Sequence, residues 1–178
     1  MRISKLLVAT GLAALLAAPL AGQQTMPESY RQVQMNALEL QRRMLVAMID
    51  SMPERLYREK TTPAQRDFAG QIQHAAGSLG FIGSRVLGAT PPARADTASI
   101  LNSRAGLRAY VNGIYDWAAN VLKNQSATDR GKEVNLFDHK MPAWQVWDEI
   151  HQHTIWTAGQ VVANFRENGM APPGFAFF

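Results

Sequence analysis

His153 and Thr157 stand four residues apart near the end of the chain, just before Gly159-Gln160, and His74 lies far upstream in a separate helical stretch. At helical geometry, positions 153 and 157 differ by roughly 40° in azimuth and one turn in height, so both side chains can approach one point. Imidazoles gathered from two helices hold a divalent metal through neutral nitrogen. A histidine at 157 would strengthen that reading, but the chain has threonine there. Glu149 lies one turn before His153, and a row of Glu149, His153 and Thr157 facing His74 would offer a His-His-Glu donor set. Asp148 and His151 share another face, with His151 about 200° from His153. His139 falls in a loop, and these three are weaker candidates. The competing explanation is structural: His74 and His153 pair as buried neutral imidazoles, and Thr157 is a small packing residue bonded back to the carbonyl at 153. Trp117, Trp144, Trp147 and Trp156 are core or interface anchors on that explanation, whereas on the functional one Trp156, next to the site, lines a pocket.

The chain has no cysteine. Thiol nucleophiles, thiolate metal ligation and disulfides are therefore ruled out, and any metal must sit on nitrogen or oxygen. Arg2 and Lys5 precede an apolar run from Leu6 to Leu20, and Pro19-Leu20-Ala21-Gly22 leads into Gln23-Gln24. This reads as a secretory signal over residues 1–22, because the run is shorter than the ~20 residues of a spanning helix. The expectation is an exported protein, periplasmic or secreted, with no membrane association after cleavage. Residues 23–178 then form one domain of about 156 residues, long enough to bury a core. Without Arg2 and Lys5 the formal charge falls from +4 to +2, and no basic run with interleaved aromatics appears, so nucleic acid is not an expected partner.

Proline and glycine divide the rest into four helical segments. Thr25-Met26-Pro27-Glu28 resembles a capping box opening a first helix over 27–51, with Val33, Ala37, Leu40, Met44, Ala47 and Met48 as its stripe. The second helix is expected over 64–87, closed by Gly88 and Pro91-Pro92, and the third over 97–123. Residues 124–139 are polar and without an apolar repeat, a long connection for a bundle. The fourth helix is expected over 142–168, stopped by Gly169 and Pro172-Pro173, with Val146, Ile150, His153, Thr157, Val161 and Phe165 facing inward. No alternating pattern signals a strand, so the fold class is all-α, a four-helix bundle.

Met52-Pro53-Glu54-Arg55-Leu56, then Pro63, then the stretch from Asp67 to His74 resemble the linker and second helix of the DinB-like superfamily. The stretch from His153 to Gln160, continuing through Phe165-Arg166-Glu167-Asn168-Gly169 to Pro172-Pro173, resembles that family's last helix. The resemblance spans nearly the whole chain after the leader. It implies a four-helix bundle, often a homodimer, with a divalent metal such as zinc or nickel held by three histidines. His74 and His153 match two of those ligands, and Thr157 stands at the third. A threonine hydroxyl is a poor substitute for imidazole.

Two function classes follow. One is an exported metal-dependent enzyme, a hydrolase or transferase acting on an unassigned small molecule, with hydrolysis better suited to the compartment. The other is a metal-free bundle that binds a ligand or dimerises. Fold alone does not choose between them.

Overall fold

The computed structural model describes residues 26–93 and 96–174. The expected leader and Thr25 of the capping box lie outside the described residues. The chain forms α1 (Glu28–Ser51), a 3-10 turn (Glu54–Leu56), α2 (Phe68–Leu87), α3 (Thr97–Asn102), α4 (Arg104–Asn124), α5 (Ala127–Gly131), β1 (Glu133–Leu136), β2 (His139–Pro142), α6 (Ala143–Gly159) and α7 (Val161–Glu167). Helices α1, α2, α4 and α6 make the bundle, with α4 and α6 each packed against both α1 and α2. The expected all-helical bundle is what the chain forms, with one small hairpin added.

Local chemistry explains where the elements differ from their expected bounds. α2 begins at Phe68 rather than 64 because the buried Asp67 carboxylate accepts the Gly70 N–H at 2.7 Å, capping the helix, and Arg58 braces it at 2.9 Å. Gly88 closes α2 in the left-handed region at φ 68°, where glycine costs least. The expected third helix is two, α3 and α4, separated at Ser103. That residue is extended, and its hydroxyl accepts the Gly106 N–H. The last helix also divides, at Gln160, whose N–H reaches Thr157 O in a tight turn.

The segment read as a featureless connection holds α5 and the β1–β2 hairpin. The strands are antiparallel, with Glu133 opposite Pro142 and Leu136 opposite His139. Four-residue strands joined by Phe137-Asp138 lack the Asn-Gly signature of such turns, although both residues take positive φ, 47° and 67°. Val134 and Leu136 do alternate with Glu133 and Asn135, but over four residues, without a turn signature, the pattern is too short to stand out.

The core runs through Leu45, Ile49, Ile72, Leu79, Leu107 and Ile150, all fully or almost fully buried. Each such side chain contributes roughly 1.5–3 kcal/mol by leaving water. Tyr57 and Phe68 pack at a tilt and Phe68 and Phe165 edge to face, with centroid separations of 5.2 and 6.0 Å, and Tyr57 OH donates to Ile49 O at 2.9 Å. Val33 departs from expectation by being 44% exposed. The buried stripe of α1 instead includes the polar Gln34 and Gln41, which find partners on α6. An apolar count could not find them.

Candidate functional site

His74 on α2 and His153 on α6 meet across the bundle, their rings edge to face with centroids 5.3 Å apart. The cap at Asp67 sets the start of α2, and hence the turn on which His74 falls. Gln71, one turn earlier, donates to Thr157 O at 3.2 Å and to Gln160 Oε1 at 3.1 Å, fastening α2 to the place where the last helix breaks. Thr157 is buried, and its hydroxyl lies 3.5 Å from His153 Nε2, the outer limit of a hydrogen bond. His153 Nδ1 is buried with no hydrogen-bond partner among the described residues.

Burial holds the His74 pKa below the usual histidine value, helped by the Arg66 guanidinium and by His153. Burial, then Arg66, lowers His153 in the same way. Both rings are therefore neutral at pH 7. The unfolded chain binds these protons more readily, so the stability that neutral rings carry is complete above pH ~6.5 and is lost as pH falls through the folded values. Urea unfolding from about pH 7.5 down to 5 should show declining stability, with a shallower slope in a His74→Gln, His153→Gln double variant. Identical slopes would mean that neither ring is held neutral by the fold.

Glu149 receives the Gln145 amide at 3.3 Å and lines a cavity of about 360 Å³ with His74, His153, Thr157 and the 76% exposed Trp156. Trp156 is thus a pocket wall rather than a core anchor. Trp147 is buried, and Trp144 and Trp117 are half-buried, with Trp117 Nε1 bonded to Thr90 O at 2.7 Å. His151 faces away, its Nδ1 2.7 Å from the Gln41 amide nitrogen, and His139 is exposed on β2.

A larger cleft of about 1020 Å³ opens beside the pair and shares Arg66, His74 and His153 with the smaller cavity. Its walls are mostly apolar, among them Ile100, Tyr110, Ile114 and the exposed Phe81 and Phe137. Gly77 makes room for it. A Cβ there would meet Tyr110 Oη at 2.7 Å, so glycine lets the tyrosine lie close against α2. Sequence reasoning missed this cleft. The available signal was the glycine repeat of α2 (Gly70, Gly77, Gly80, Gly83), unusual in a helix interior unless something packs closely.

The crystal structure of a DinB-like protein from Bacillus cereus matches this chain with a TM-score of 0.71, covering 82% of this chain and 97% of that one at 14% identity. The chain has a DinB-like fold. No family model matches it, and no curated protein does.

The sequence resemblance implies a three-histidine metal centre, and the bundle brings together His74 and His153, the two histidines that match it. At the third position the Thr157 hydroxyl is a neutral oxygen lying close to His153 Nε2, a weak donor. Among the described residues, no three His, Cys, Asp or Glu side chains converge closely enough to hold an ion. Glu149 therefore shares the pocket without completing the set. The residues present fall short of a three-ligand centre.

Proposed function

We propose that this DinB-like chain is an exported ligand-binding bundle that takes up a small amphipathic anion, its apolar body in the large cleft and its charged end at Arg66, His74 and His153. The observation that carries this reading is the union of an apolar-walled cleft with that polar end. Arg66 is the one formally charged residue on the cleft lining among the described residues. The two neutral imidazoles beside it can each donate one hydrogen bond without a compensating charge. Such a pocket, mostly apolar with a few convergent polar groups, is the usual form of a small-molecule site. Export rests on the leader-like residues 1–22, and among the described residues no helix is long and apolar enough to cross a membrane.

A second reading keeps zinc or nickel on His74 and His153, with Thr157 and Glu149 as remaining donors, and makes the protein a metal-dependent hydrolase of unassigned substrate. What favours it is the meeting of two neutral imidazoles, one with an unpartnered buried nitrogen.

One calorimetric experiment separates the two. The probe for the first is 8-anilinonaphthalene-1-sulfonate, an aromatic body with an anionic end. It should bind native protein at one site, and Arg66→Ala should weaken binding roughly tenfold through loss of a charge-assisted contact. In the other arm, metal-stripped protein is titrated with zinc chloride. Stoichiometric zinc uptake that disappears in His74→Ala and His153→Ala, with no saturable probe binding, would replace the first reading by the second.

A further inference from the structure

The other face of α6, turned toward α1, carries a cavity of about 300 Å³ that shares only Gln152 with the cavities at the histidine pair. Its polar centre is the Asp148 carboxylate. Oδ2 accepts the Tyr30 hydroxyl at 2.7 Å and Oδ1 accepts the Gln34 amide at 3.0 Å, so the group is held in one orientation. Asp148 forms no ion pair with a lysine or arginine among the described residues. Gln34 is only 4% exposed, and its amide nitrogen also donates to Trp144 O at 2.8 Å. Two acceptors thereby fix which end of the amide is nitrogen, and Oε1 is left buried with no partner. Ala37, Leu38 and the exposed Val33 line the same cavity.

We propose that this cavity binds a small organic ammonium, a primary amine on a short apolar stem. A carboxylate with no lysine or arginine partner attracts a cation, and a primary ammonium brings three N–H donors to a wall rich in acceptors. Asp148 is an acceptor still able to take a bond, since a carboxylate offers about four lone-pair sites and two are used, and the neighbouring Gln34 Oε1 lacks a partner. Val33, Ala37 and Leu38 suit the stem, and the role explains why an apolar valine stays at the surface.

The test uses the full chain and n-butylammonium chloride as probe, with 1-butanol and sodium butyrate as neutral and anionic counterparts. Calorimetry should show saturable binding of the ammonium, with both counterparts roughly tenfold weaker or worse, as expected for a charge-assisted contact. Asp148→Asn should lose about tenfold in affinity. Val33→Lys, at an exposed position that tolerates change, should abolish binding by filling the site with a tethered ammonium, whatever the fate of the Asn variant. His74→Ala should leave the affinity unchanged, which separates this site from the cleft. Equal binding of butanol, an undiminished Val33→Lys variant or absence of any saturable ammonium binding overturns the proposal.

Discussion

Phe165→Ala should lower the unfolding free energy by about 3–5 kcal/mol, a large part of the ~5–15 kcal/mol that a domain of this size possesses. The ring is fully buried, stands edge-on to Phe68 at 6.0 Å, and through Phe68 supports Tyr57, whose hydroxyl is bonded to the α1 backbone. The Phe165 backbone carbonyl accepts the Met170 N–H at 2.9 Å, so the packed ring sits directly at the turn after α7. Truncation removes the transfer energy of the ring and leaves a void that the two remaining rings close poorly. Urea unfolding followed by circular dichroism gives the measurement. A loss below about 1 kcal/mol would show that α7 is not packed on Phe68 as described.

Gly106→Ala should also destabilise, by about 1–3 kcal/mol, although alanine is the better helix former by ~1 kcal/mol. A Cβ at this position would lie 2.2 Å from Ser99 O and 2.9 Å from Ser99 C, and backbone cannot yield as a side-chain tip can. Overlap therefore outweighs propensity, and relief requires α3 to move off α4. Ser99 and Ile100 wall the large cleft, so the same substitution should weaken the anilinonaphthalene sulfonate probe. Gly113 on the same helix is the control. A Cβ there would meet nothing within 4 Å among the described residues, and Gly113→Ala should stabilise by roughly 0.5–1 kcal/mol. Thermal melts of the two variants that shift in the same direction would refute the packing described for the α3–α4 junction.

The bundle was legible because its long helices advertise themselves through apolar residues at spacings of three and four, and because Gly88, Gly169 and the paired prolines stop them. The meeting of His74 and His153 followed from the same stripes. What escaped was carried by interactions without periodicity. Ser103 breaks a helix through one hydroxyl, Gln160 through one tight turn, and the hairpin closes on a Phe-Asp pair rather than a glycine. Gln34 and Gln41 entered the core because α6 offers them acceptors and partners, and Val33 was displaced outward as a result. The large cleft was invisible for a related reason: a cavity depends on what neighbouring helices fail to fill, and no single helix encodes that.

The Phe137-Asp138 turn has a thermodynamic consequence. A side chain held at positive φ costs on the order of 1 kcal/mol relative to glycine, and Phe137, 68% exposed, has little burial of its own to offset that cost. Phe137 is also one of the residues lining the cleft. An occupant that covered the ring would supply the missing burial, so filling the cleft and closing the hairpin become linked equilibria. Under the proposed function local opening of the hairpin responds to occupancy, a reporter of the bound state built into the backbone.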